Sequence, residues 1–385
     1  MSLAVHNSRV AICYDDNILV YDIGNDVNTM FTLPKVESAK ESKTHNNEDF
    51  ETYYPATNIS FSNDGEYFFV CTNRKQLYLY NGKNLQLLSY RHLKRAMSKG
   101  KFSPSNDVII ADKAGDAYIF STEKSMEDGT LLLGHLSMLL DILITEDKKF
   151  IITADRDEKI RVSMYPNCYN IFSYCLGHTK FITNISELPH NKNILVSSGG
   201  DGCIIFWNYR LGKEILCVPF SDKLEKEEIQ EFNKQLLDFE LNASELVQPV
   251  KHLKVTNIDK TTSLLALSFY YTKRIVIYEI LGCTENDLMV NYMYFVPVDD
   301  EPLECYLQQH NLWVLIESGL TVYRLNKDAW EVDELNHKLQ RINDAWKMLR
   351  KNVGKQNLFP MLYKRKYDNV QDYQNKKKAR LTKVE

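Results

Sequence analysis

Two groups of residues in the middle of the chain hold the inventory of a nucleophilic triad. The first is His135, Thr153 and Asp157, and the second is His178, Ser197 and Asp201, followed by Trp207. In a hydrolase such a set makes the hydroxyl a nucleophile, with the histidine as general base and the carboxylate orienting it. Duplication argues against that chemistry. Gly134-His135 and Gly177-His178 stand 43 residues apart, and hydroxyl and acid recur at nearly the same offsets behind them. A catalytic triad has no reason to appear twice at a fixed period, whereas a buried, mutually satisfied polar set that ties strands together does. The expectation is therefore two structural tetrads and no catalytic residue, the first tetrad having Ser163 where the second has Trp207.

A unit of about forty residues that opens on Gly-His, passes an Asp-containing turn and closes on an aromatic-ended strand is the WD-repeat pattern, one unit supplying four strands of a propeller blade. The same rhythm of strand and turn extends outward from the pair. VAICYDDNILVYDI, turning at Asp15-Asp16-Asn17, reads as blade one, and NISFSNDGEYFFVCTNRKQLYLYN as blade two. Blade three is expected over about 90–123, with Asp116 in the turn position of Asp157 and Asp201, and the paired units supply blades four and five. KHLKVTNIDKTTSLLALSFYYTKRIVIYEI and the stretch ending in LTVYRL give blades six and seven. The predicted fold is all-β, a roughly seven-bladed propeller over 1–326.

Three stretches break the rhythm. From Pro34 to Glu51 the chain is polar and reads as a mobile loop. Between about 221 and 247, Leu224, Ile229, Phe232, Leu236, Leu237 and Phe239 recur at roughly helical spacing among dense charges, which predicts a helical insertion lying on the propeller's flank or offered to a partner. Over 327–385, Trp330, Leu335, Leu339, Ile342, Trp346 and Leu349 predict a helix leaving the propeller, followed by a basic tail. In that tail Lys376, Lys377, Lys378 and Arg380 suit a nuclear address or a nucleic-acid contact, or else a solvated end.

Composition narrows the function classes. Across 385 residues the net charge is -4, so a general affinity for nucleic acid is not expected and any such contact is a local patch. The eight cysteines form no C-x-x-C pair and no His partner stands at metal spacing, which predicts reduced thiols and no metal site. No apolar run approaches a membrane span and no signal peptide opens the chain, so a soluble, intracellular protein without membrane partners is expected. The sequons at Asn58 and Asn242 are discounted on that ground. Gly199-Gly200-Asp201-Gly202 falls at a blade turn rather than before a helix, and no Walker loop or G-x-G-x-x-G occurs, so no phosphate cradle or cofactor site is predicted.

The strings IIADKAGDAYIF, LLLGHLSMLLDILI, FIITADRDEKIRVSMYP and YCLGHTKFI, within about 106–214, closely resemble the WD-repeat, non-catalytic subunit of eukaryotic tRNA (guanine-7-)-methyltransferase. That resemblance implies a scaffold forming a heterodimer with a catalytic subunit, which would hold S-adenosylmethionine and methylate a guanine in the tRNA variable loop. It implies a nuclear location, with the cytoplasm as a second compartment. It also implies that Asp157, Glu158, Lys159 and Arg161 face the methyltransferase. Lys159 and Arg161 alternate with Ile160 and Val162, so the basic pair is expected to point outward if the apolar pair packs inward, free to meet a partner carboxylate or an acid of its own blade. The rival is a generic interaction propeller such as a ubiquitin-ligase substrate adaptor. Trp207-Asn208-Tyr209-Arg210 approaches that class's Trp-Asp-x-Arg blade ending but lacks its Asp.

Overall fold

Stretches such as FIITAD and LLALSF are apolar on both faces, which a strand tolerates only when something covers it on both sides. In the computed structural model, which describes residues 2–34, 56–239, 241, 244–326, 329–349 and 361–363, the covers are neighbouring blades. The described residues form seven four-stranded antiparallel sheets, each from four consecutive strands: β1–β4 over 2–32, β5–β8 over 56–92, β9–β12 over 97–134, β13–β16 over 139–176, β17–β20 over 182–219, β21–β24 over 250–297 and β25–β28 over 304–332. This is a seven-bladed propeller. Its core lies between blades: Ile152, Ile160 and Val162 of blade four pack with Ile185, Leu195 and Trp207 of blade five in one cluster.

Repeat unit and blade are out of phase by one strand. The segment that opens the fourth unit, Thr130–Gly134, is the outer strand β12 of blade three, and Ile171–Leu176 is the outer strand β16 of blade four. Blade three accordingly spans 97–134 rather than 90–123, since Tyr90 lies in β8 (Leu87–His92), the outer strand of blade two. Each Gly-His pair thus sits where the chain crosses from one blade's outside to the next blade's inside.

The insertion is helical as expected: a short 3-10 turn over Ser221–Lys223 precedes α1, Lys226–Asp238. Glu225 and Glu228 form a capping box at its start, and both carboxylates also meet Arg274 of blade six, at 2.6 and 3.2 Å. Phe232 and Leu236 are buried with Phe181, Leu241 and Leu362, so the insertion's apolar face is spent on its own chain. The other end of the chain corrects two expectations. Trp330 lies not in a helix but in β28 (Ala329–Val332), which extends blade seven past residue 326. The helix α2, Gln340–Leu349, does not leave the propeller: Leu339, Ile342 and Trp346 are buried against blades one and seven. Its apolar stripe had to be covered by something, and the junction of those blades was within reach. The basic residues Lys376, Lys377, Lys378 and Arg380, and residues 35–51 of the predicted loop, lie outside the described residues.

Candidate partner interface on blade four

In blade five the tetrad closes as a chain of hydrogen bonds. Trp207 Nε1 donates to Ser197 Oγ at 2.8 Å, Ser197 Oγ lies 2.7 Å from His178 Nε2, and His178 Nδ1 lies 2.7 Å from Asp201 Oδ2. With the His178 tautomer that carries its hydrogen on Nδ1, every member donates to the next and the run ends on the carboxylate. Burial works against the charged form of Asp201, but the bonds from His178 and the Thr179 amide outweigh it and hold the carboxyl below its ordinary range. The Ser197 hydroxyl is buried in this network, between two strands and under an indole, with no open space for a substrate carbonyl. Its chemistry is to pin the crossover from blade four onto blade five.

Blade four repeats the arrangement with one change of partner. His135 Nε2 lies 2.9 Å from Thr153 Oγ1, but its Nδ1 meets Asp155 at 3.0 Å, not Asp157. Asp155 ends β14 (Phe150–Asp155) and its other oxygen accepts the amides of Asp157 and Lys159, closing the turn. Asp157 is displaced to the rim, where it accepts from Ser137 Oγ at 2.7 Å. Blade three does the same: Asp112, rather than Asp116, accepts the amides of Ala114, Gly115 and Asp116. Counting along the repeat therefore picked the wrong carboxylate in both blades, because each turn offers two acids, two residues apart in blade four and four apart in blade three, and only the turn geometry chooses between them. Ser163, in the place of the tryptophan, is buried and its Oγ finds no partner among the described residues.

Arg161 overturns the expectation of an outward basic pair. It is 9% exposed, its Nη1 donates to Gly134 O at 3.0 Å, and burial lowers its pKa, an effect that Tyr174 beside it offsets only in part. The alternation is real, since Ile160 and Val162 pack toward blade five while Arg161 turns to blade three. In a propeller, however, the opposite face of a strand is the next blade rather than solvent. Lys159, at the start of β15 (Lys159–Met164), and Glu158, at φ 70° in the turn, are exposed.

What surrounds those two charges was not legible beforehand. Leu136, directly after the Gly-His pair, is fully exposed, and the bond from Ser137 to Asp157 holds its loop against the turn. Leu176, opposite Lys159 in the ladder, is 62% exposed. Two exposed leucines on the loop and strand that meet this turn add apolar surface to its exposed charges, a mixture that protein-binding surfaces use. A signal was present: blade five places Thr179 where blade four has Leu136. Elsewhere, a central cavity of about 690 Å³ is lined by charged residues, with Lys101 paired to Asp141 at 2.7 Å and Lys254 to Glu304 at 3.1 Å. No cluster of three or more metal-ligating side chains occurs among the described residues.

A family model described as the tRNA methyltransferase TRM82 WD40 domain matches residues 120–319, more than half of the chain. The chain belongs to that family. Its relatives include the tRNA (guanine-N(7)-)-methyltransferase non-catalytic subunit WDR4 of Homo sapiens, 31% identical over 96% of this chain and 85% of the relative. The WDR4 subunit of Mus musculus is 33% identical over 83% and 75%, and the wuho subunit of Drosophila mojavensis is 44% identical over 41% and 43%. Solved structures share the fold at lower identity. A chain of the Mitotic Checkpoint Complex matches with a TM-score of 0.63 at 14% identity, covering 84% of this chain and 86% of that one. The RRP9 WD40 repeats match at 0.60 and 15%, covering 85% and 88%. The chain is thus a member of a family of non-catalytic methyltransferase subunits, consistent with tetrads that lock strands rather than cut bonds.

Proposed function

We propose that this chain is the scaffold of a heterodimer, binding the catalytic tRNA (guanine-7-)-methyltransferase subunit through the blade-four rim. Its role is to stabilise that subunit for 7-methylguanosine formation in the tRNA variable loop. S-adenosylmethionine belongs to the catalytic subunit, and tRNA meets the complex. The observation that carries the reading is the exposure of Leu136, Glu158, Lys159 and Leu176 around one blade-four turn on a propeller of this family. Asp157 and Arg161 act from beneath: Asp157 holds the Leu136 loop through Ser137, and Arg161 holds the carbonyl just before His135. The basic run Lys376, Lys377, Lys378 and Arg380 suits import into the nucleus or a tRNA contact in the complex.

Co-purification with the catalytic subunit tests this. Leu136→Asp places a charge in the exposed apolar surface and Lys159→Glu reverses an exposed charge, so each is expected to weaken association, by about 1–3 kcal/mol for the first and less for the second, with melting unchanged. Undiminished capture of the partner by both variants removes blade four from the interface.

A further inference from the structure

The ring of blades has a seam. Because every sheet is made of four consecutive strands, the first and last blades are complete sheets from opposite ends of the chain. Among the described residues no strand of one end hydrogen-bonds into the sheet of the other, so main-chain ladders do not join them. Side chains do. Leu3 and Val5 of β1 (Ser2–His6) share one cluster with Trp313 and Leu315 of blade seven, and the buried residues of α2 complete it.

The last blade also has an open edge at this point. Strand β28 pairs with β27 (Gly319–Asn326) only from Tyr323 to Asn326, so the first half of β27 has no outer strand, and Val322 keeps a single backbone bond there, from the Asp333 amide at 2.9 Å. Two asparagines supply what a strand would. Asn336 accepts the Val322 amide at 3.0 Å and donates to the Val322 carbonyl at 2.7 Å. Asn343, on α2, accepts the Leu320 amide at 2.7 Å and donates to the Leu320 carbonyl at 3.0 Å. Each carboxamide reproduces the donor and acceptor that an added strand presents, and residues 320 and 322 fall in the ladder phase that Arg324 and Asn326 continue with β28. Gly319 makes the approach possible, since a Cβ there would lie 2.7 Å from Asn343 Oδ1.

Trp346 spans the seam itself. Its indole stands edge-on to Tyr14 of blade one at 5.6 Å, while Nε1 donates to the Glu317 carbonyl of blade seven at 3.1 Å. Arg341 adds an exposed ion pair to Asp26 of blade one at 3.0 Å. One helix therefore grips both ends of a ring that no strand closes among the described residues.

We propose that α2 is the lock of the propeller, closing the ring in place of an exchanged strand, so that its release opens the molecule at the junction of blades one and seven before any other. Native-state hydrogen exchange on the full chain tests this. Asn343→Ala removes one strand-mimicking carboxamide from a half-buried site, and Trp346→Phe keeps an aromatic at the seam but removes the indole donor. In both, the amides of blades one and seven are expected to exchange about tenfold faster or more, the equivalent of one lost hydrogen-bonded contact, while blades three to five keep wild-type protection. As a control, Ile152→Ala in blade four should loosen blades four and five instead. Equal loss of protection in all seven blades with the α2 variants, or no change at the seam, overturns the proposal.

Discussion

Replacing Ser197 by alanine separates the structural reading of the tetrad from a catalytic one. Ser197 Oγ accepts the Trp207 indole N–H at 2.8 Å and lies 2.7 Å from His178 Nε2, in a site where Trp207 is wholly buried and the His178 side chain 1% exposed. Ser197→Ala leaves an indole donor and an imidazole acceptor without partners, each costing about 1–3 kcal/mol, so a loss of about 2–6 kcal/mol is expected. Trp207→Phe on its own breaks one of these bonds. In the double variant the orphaned indole is gone, so the two costs should fall short of additivity by about 1–2 kcal/mol. Equilibrium denaturation of the isolated chain measures both quantities. The parallel assay is guanine methylation by the reconstituted complex, at a temperature where every variant is folded, with the rate expressed per complex. That rate should be unchanged. Wild-type stability in Ser197→Ala together with loss of methylation would refute the argument, because it would make the hydroxyl a reacting group rather than a strand tie.

Other outcomes follow from the same geometry. Arg161→Met leaves the Gly134 carbonyl without its donor and should lower stability by about 1–3 kcal/mol, with any loss of partner binding tracking that loss, as melting curves beside co-purification would reveal. Burial pushes His252 down to about 3; Glu304, although burial works the other way, is drawn down to about 2 by His252 and Lys254. In both cases the unfolded chain takes up its proton first as pH falls, so stability should decline below about 6.5 through His252 and again below about 4.5 through Glu304. Denaturation midpoints against pH measure this, and His252→Gln should abolish the first decline and shrink the second, which Lys254 still sustains in part. The isolated chain should show no saturable binding of S-adenosylmethionine by calorimetry, since it carries no glycine-rich loop between a strand and a helix.

The sequence by itself determined what repeats locally. A 43-residue interval between Gly-His pairs, alternating apolar runs and turn residues give the propeller and its number of blades, and helical spacing around Phe232 and Leu236 gives the insertion. Tetrad chemistry was legible too, because its residue types recur at the period. What the tertiary structure alone decided is which face of each element meets solvent. Arg161 alternates correctly with Ile160 and Val162, yet its far face is blade three, and no pattern within one strand encodes the presence of a neighbouring blade. Asp155 and Asp157 are the same residue type two positions apart, and only the closed turn selects Asp155 for His135. The apolar stripe of α2 announces that it will be buried but not where; the answer lies more than three hundred residues away, at Tyr14, because the ring brings the chain's two ends together. Local periodicity sets the elements, and burial is a property of what the closed ring places beside them.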